Sequence, residues 1–323
     1  MTADVSAPAL LADLGATNVR FGLAGAGGIT AVALMRCADH ESLQAAITAY
    51  LAQIRPPVLP KRAAIAIACP VLDDRVEMTN LPWAFSISEL RAQFGFDRLE
   101  VVNDFLAVAL AVPHLQAGDV VQVGGGAPIQ GEAIAILGPG TGLGVSSLVP
   151  MHGRWRALPG EGGHVTMAPA NDREAAVLAH LRRRFAHVSA ERVISGMGLV
   201  NLYESLAAID GVDDAPMRAP HEVSEAALGG SDPHCAEAVQ MFCAMLGTVA
   251  GNHALTVGAR GGVYIGGGIV PRLLDTFLQS DFRQRFDHKG RLSDFVQPIP
   301  CYVITTKLPA LLGLRSVLED PQP

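Results

Sequence analysis

Apolar residues along this chain come in short blocks whose period switches between that of a strand and that of a helix. Residues 9–14 (ALLADL) form a compact apolar run ended by Gly15, and residues 19–24 (VRFGLA) resume it four residues later. Two such runs about a short turn predict a β-hairpin. Helical spacing follows over 41–53, then a buried strand over 62–68 (RAAIAIA) stopped by Cys69-Pro70. A helix is predicted over 86–94, with Ser86 or Ser88 as its cap, then a strand over 99–102 and a helix over 104–112. A second cycle begins near residue 119, with a strand over 133–137 (AIAIL), a glycine-rich turn over 138–144 and a strand over 145–149. Helices are predicted over 173–186, 198–209 and 233–256. A strand over 262–265, a helix after Pro271, a strand over 302–305 and a helix over 308–318 complete the chain. Strands alternating with helices predict an α/β sheet covered by helices.

The segments LLADLGATNVRFGLA and AIAILGPGTGLGVSSLV share little identity but one layout: strand, Gly/Thr turn, strand. That repetition predicts two related domains facing a shared cleft. The expected division is a small α/β domain over 1–114, joined by the helical segment 306–323, and a large α/β domain over 115–305. The 323 residues suit two domains.

Composition narrows the function. Half the residues are hydrophobic and 17% are charged, so the chain can bury a sizeable core. The formal net charge is -7, and Arg182-Arg183-Arg184 is a lone basic run. No basic stripe suits nucleic acid or an anionic membrane, so neither is expected as a partner. No stretch of ~18 residues is free of polar breaks, so no membrane span is expected. The N-terminal apolar run reads as a strand rather than a signal peptide. The five cysteines are odd in number, widely spaced and without a Cys-x-x-Cys pair, which predicts reduced thiols in a cytoplasmic protein.

Five segments carry candidate chemistry. Ala12-Asp13-Leu14-Gly15-Ala16-Thr17 spans the hairpin tip. Glycine lets backbone approach phosphate oxygens, the Thr hydroxyl can donate to them, and Asp13 could hold Mg²⁺ directly or through water. The same residues also make an ordinary hairpin turn. Residues 138–144 place four glycines at alternate positions between two apolar strands, with Thr141 among them. The spacing is neither a Rossmann fingerprint nor a P-loop, and Gly140, Thr141 and Gly142 are read as phosphate contacts. Asn103-Asp104 lies between a strand end and a helix start. Locally Asp104 is explained as an N-cap, and a general base at a strand's C-terminal end is the alternative. In 159–164 (PGEGGH), Glu161 and His164 offer a carboxylate and an imidazole suited to adjacent sugar hydroxyls, or form a solvated loop. Glu191 and Asn80, the latter beside Trp83, are further polar candidates. Gly266-Gly267-Gly268 follows a strand and permits either close ligand approach or a tight turn.

In this order the segments resemble the bacterial glucokinases, of the hexokinase–actin–Hsp70 superfamily with its two ribonuclease-H-like halves. The resemblance runs through LADLGATNVRFGLA, MTNLPWAFS, VVNDFLAVALAVPHL, ILGPGTGLGVS, LPGEGGHV, HVSAERVISGMGLVNLYE and GGVYIGGGIVPR. It implies an actin/hexokinase-like α/β fold and transfer of a phosphoryl group from ATP to the 6-hydroxyl of glucose. It implies Asp104 as catalytic base, with Asn80, Asn103, Asp104, Glu161, His164 and Glu191 on the sugar. Ala12, Asp13, Leu14, Gly15, Ala16, Thr17, Gly140, Thr141, Gly142, Gly267 and Gly268 would surround the nucleotide, and Asp13 would hold Mg²⁺. It further implies a homodimer whose domains close on the sugar. A kinase for mannose, fructose or an amino sugar, and a non-catalytic sugar sensor of the same fold, are the competing readings. Ala16 departs from the pattern where a second glycine is usual and needs a negative φ to avoid strain. Met197, where proline is frequent, and residues 305–314 depart as well. The Cys-rich zinc motif of the ROK sugar kinases is missing.

Overall fold

The alternating apolar runs do become strands, and their order explains where polar groups collect. The structure is a computed structural model that describes residues 7–69, 71, 73–78, 81–212 and 214–319. The chain divides into two compact units, Met1–Leu115 with Lys307–Pro323, and Gln116–Thr306.

In the first unit, β1 (Ala9–Leu14), β2 (Asn18–Gly25), β3 (Gly28–Arg36) and β4 (Arg62–Ile67) precede a short pair, β5 (Arg75–Glu77) and β6 (Ala84–Ser86), and then β7 (Arg98–Asn103). The main sheet has the order β3-β2-β1-β4-β7. β1, β2 and β3 run antiparallel to their neighbours, whereas β1, β4 and β7 are parallel. Both faces of β1 are covered, which is why it reads as a continuous apolar run. Leu10, Ala12 and Leu14 enter one core, and Ala9 and Leu11 the other. The first core is closed by α1 (Leu43–Ile54) and α2 (Ile87–Phe94), with Phe21 stacked on Tyr50 at 4.7 Å between ring centres. The second is closed by α3 (Asp104–Ala111) and the helix Pro309–Glu319. These two helices meet backbone to backbone, because a Cβ at Gly313 would overlap the Ala107 carbonyl.

The second unit repeats the plan. Its strands are β8 (Val120–Gln122), β9 (Ile134–Pro139), β10 (Leu143–Met151), β11 (Arg154–Gly160), β12 (Val263–Ile265) and β13 (Cys301–Ile304), in the order β11-β10-β9-β12-β13-β8. β9, β10 and β11 form an antiparallel meander, and β12 and β13 continue parallel to β9. This matches β3-β2-β1-β4-β7 strand for strand, with β8 added antiparallel at the outer edge. The helices Asp172–Leu181, Gly196–Ile209, Pro220–Leu228 and Pro233–Val257 contribute most of the core over this sheet. The expected α/β fold with two ribonuclease-H-like halves is therefore present as a five-strand duplication.

Two predicted details change and a third is decided. β3, β11 and the helix Pro220–Leu228 were not foreseen. β3 and β11 are edge strands, and β3 leaves Val32 and Leu34 exposed although residues 29–35 (ITAVALM) form an apolar run. The N-cap of α3 is Asn103 rather than Asp104; Asn103 Oδ1 accepts from Phe105 N at 2.9 Å and Leu106 N at 3.2 Å. Of the two candidate caps for α2, Ser86 is the one used, accepting from Glu89 N at 3.1 Å.

Candidate active site

In the first unit, parallel register brings the C-terminal ends of three strands level. Leu14 on β1 pairs with Ile67 on β4, which pairs with Asn103 on β7. Asp13 and Asp104 therefore lie at one edge of the sheet, where α/β folds place ligands. They feel one another: the Asp104 carboxyl is pushed up to about 6, first by burial and then by the charge of Asp13, against the hydrogen bond from Phe105 N. Burial also raises Asp13, opposed by Arg20. Arg20 is the cross-strand partner of Asp13 in the hairpin and places Nη1 3.5 Å from Oδ2. One Asp104 oxygen, Oδ1, accepts from Phe105 N at 2.7 Å. The Asn103 side chain and Asp104's own backbone N–H also favour its charged form, and the carboxylate keeps lone pairs able to accept a proton or a hydrogen bond from a hydroxyl.

Asn103 has its Oδ1 committed to the helix start, and its side chain also supports the charged form of the Asp104 carboxylate, which leaves donor capacity on its amide N–H₂ for a ligand. The tip of the β1–β2 hairpin is fixed by Gly15 N donating to Asn18 O at 3.0 Å and Cys37 N donating to Thr17 O at 2.9 Å. Ala16 and Thr17 are exposed there. Ala16 is not among the non-glycine residues with positive φ, so the alanine causes no backbone strain. Ala12 and Leu14 bury their side chains completely, so only their backbone could reach a nucleotide. Asn80 lies outside the described residues.

In the second unit, the β9–β10 turn holds the other glycine loop. Gly140 N donates to Gly142 O at 2.8 Å, and Gly196 N donates to Gly140 O at 2.8 Å. Nothing stands within 4 Å of where a Cβ of Gly140 or Gly268 would be, so these glycines leave open space for a ligand. Gly142 and Gly267 have structural reasons as well. A Cβ on Gly142 would collide with Glu191 Oε2, and one on Gly267, at φ +80°, with the Pro139 carbonyl.

Glu161, His164 and Glu191 come together as a row. Glu161 Oε2 is 3.9 Å from His164 Nδ1, and His164 Nε2 is 3.7 Å from Glu191 Oε1. A short antiparallel link explains the meeting, with Met167 N donating to Val188 O and Ala190 N to Val165 O. Glu161 and His164 are exposed, so both can reach a ligand. Glu191 is less so, since its Oε2 accepts from Leu143 N at 2.9 Å.

Three contributors escaped the sequence. Arg20 could have been found by counting across the predicted hairpin to the partner of Asp13. Ser195, buried, caps the helix Gly196–Ile209 and donates to Glu191 O at 2.8 Å. Ser followed by Gly-Met-Gly before an apolar helix is a legible cap signal. The bond to Leu143 N, a backbone group, left no mark in the sequence.

A sequence model of the family described as Glucokinase matches residues 10–321. The chain is also 51% identical to the glucokinase of Paramagnetospirillum magneticum over 315 residues, covering 97% of this chain and 98% of the relative. The chain belongs to the glucokinase family. The glucokinase of Aromatoleum aromaticum is 50% identical over 97% of this chain and 95% of its own length. Among solved structures, the glucokinase from an Antarctic psychrotroph superposes with a TM-score of 0.89 at 38% identity, covering 97% of this chain and 99% of that one. Glucokinase membership thus extends over both units.

Proposed function

We propose that this protein phosphorylates glucose at the expense of ATP, giving glucose 6-phosphate, with Asp104 as the general base. The observation that carries the assignment of the base is the Asp104 carboxylate itself, buried at the C-terminal ends of three parallel strands on a side chain held by Phe105 N. In phosphoryl transfer the attacking hydroxyl loses its proton late, so a base that mainly orients it suffices. A carboxylate anchored through one oxygen does this, since the helix start holds it still. Asn103, through its amide N–H₂, and Asn80 meet the sugar from the same unit as Asp104. Glu161, His164 and Glu191 hold sugar hydroxyls: the carboxylates accept from them, and the imidazole donates or accepts.

The backbone of Ala12, Leu14, Gly15 and Ala16 and the Thr17 hydroxyl receive nucleotide phosphates from the first unit. Gly140, Thr141, Gly142, Gly267 and Gly268 do so from the second. Asp13 fits a hard divalent cation: it is a partly buried carboxylate whose Oδ2 lies 3.5 Å from Arg20 Nη1, with a second carboxylate, Asp104, close enough to raise the local negative potential. No cluster of three or more metal-ligating side chains exists among the described residues, which suits an ion held largely by substrate phosphates and water. Bound Mg²⁺ would neutralise charge on the transferred phosphoryl group. The protein is further proposed to be a cytoplasmic homodimer; its five buried, unpaired cysteines suit a reducing compartment.

Purified protein supplied with ATP, Mg²⁺ and each of glucose, mannose, fructose and glucosamine, with ADP release followed by a coupled assay, tests the assignment. Glucose is expected to support the fastest turnover. Faster turnover on another hexose would reassign the substrate, and tight glucose binding without ADP release would mark a sensor.

A further inference from the structure

The second unit joins its sugar-side residues to its phosphate loop through one carboxylate. Glu191 Oε1 lies 3.7 Å from His164 Nε2, while Oε2 accepts from the backbone N–H of Leu143, the first residue of β10 after the glycine turn, at 2.9 Å. The neighbours leave little slack. Gly142 has no room for a Cβ beside Oε2, and Gly163 has none beside the Leu143 carbonyl. The main chain of Glu191 is tied in as well. Its carbonyl accepts from Ser195 Oγ at 2.8 Å, and Gly196 N, next to Ser195, donates to Gly140 O at 2.8 Å. Both ends of the phosphate turn are thus fastened to the 191–196 segment, one through a side chain and one through the backbone. A ligand that orders Glu191 and His164 therefore orders the turn, and the reverse must hold with the same factor.

We propose that Glu191 is a positioning residue for the nucleotide as well as a sugar contact, coupling glucose occupancy to the geometry of the Gly140–Leu143 turn. The proposal rests on the kinase reading above. Four variants separate it from a plain sugar contact. Glu191→Ala removes both links, so KM should rise about tenfold or more for ATP as well as for glucose, the scale expected for losing a hydrogen bond to a charged group. Glu191→Gln keeps an amide oxygen able to accept from Leu143 N–H but loses the charge facing His164. It should raise KM for glucose while KM for ATP stays near the wild-type value. His164→Asn, which does not touch Leu143, should raise KM for glucose only. Gly142→Ala displaces the carboxylate without removing it and should raise both KM values.

The direct readout is calorimetric binding of a non-hydrolysable ATP analogue with and without glucose. Wild type should bind the analogue more tightly with glucose present, and Glu191→Ala should bind it equally in both conditions. Should Glu191→Ala fail to fold by circular dichroism, Glu191→Gln and Gly142→Ala carry the test. A change confined to KM for glucose in Glu191→Ala, or in Gly142→Ala a change confined to KM for ATP, would overturn the coupling and leave the kinase reading intact. So would a wild-type protein whose analogue affinity ignores glucose. Failure of the wild type to release ADP with any hexose would instead remove the kinase reading.

Discussion

The raised carboxyl of Asp104 has two measurable consequences, one for turnover and one for stability. Its carboxyl titrates from an ordinary 3.8 to about 6 because burial and Asp13 both disfavour the charge. A base must be ionised to act, so kcat should fall about tenfold per pH unit below roughly pH 6 and level off above it. A pH–rate profile checks this, and a plateau extending unchanged to pH 4.5 would contradict it. The same shift costs stability. A carboxyl that binds its proton more tightly folded than unfolded makes the native state lose stability as pH rises from about 4 to 6, and the loss persists at pH 7. Asp104→Asn should therefore stabilise the protein at pH 7, by up to about 2 kcal/mol, with the gain vanishing near pH 4. Urea unfolding at the two pH values measures it. Sequence alone assigned the capping role to Asp104, and neighbouring Asn103 carries it instead. The two side chains differ by one atom type, and only the turn geometry decides which of them bends back to the helix.

Among elements, the two helices of the first unit's second core pack so tightly at Gly313 that a Cβ there would overlap the Ala107 carbonyl. Alanine has the better helix propensity by about 1 kcal/mol, yet its Cβ would overlap that carbonyl. Gly313→Ala should therefore destabilise by roughly 1–3 kcal/mol, the usual penalty of overpacking, and thermal unfolding checks the sign. A stabilised variant would mean the helix Pro309–Glu319 can shift freely. The strands that sequence revealed, β1, β2, β4, β7, β9, β10, β12 and β13, carry apolar residues on most successive positions, because both faces of the central strands are buried. β11 was hidden because an edge strand needs no such run and residue 159 in it is a proline, whereas the run ITAVALM over 29–35 did mark β3 and was not read as a strand. Proline argues against a strand except at an edge.

At the scale of the whole molecule, duplication is the organising fact. A hairpin with a glycine turn followed by two parallel strands occurs twice, and each copy offers its turn as a proposed phosphate loop. That much was readable because both turns fall between unmistakable apolar runs. The bond from Leu143 N to Glu191 was not readable, because a backbone donor and a side chain 48 residues apart share no local pattern. No helix among the described residues is long and apolar enough to cross a membrane. Sedimentation equilibrium should give twice the chain mass of 33.8 kDa if the proposed homodimer forms, and a monomer mass would remove that proposal. The central claim, that Asp104 activates the sugar hydroxyl, is tested most directly by kcat and glucose affinity of Asp104→Asn measured side by side. The account predicts a kcat lower by a factor on the order of 10³ or more, with glucose binding within a few-fold of wild type and the fold intact. Near-normal turnover in that variant would contradict it.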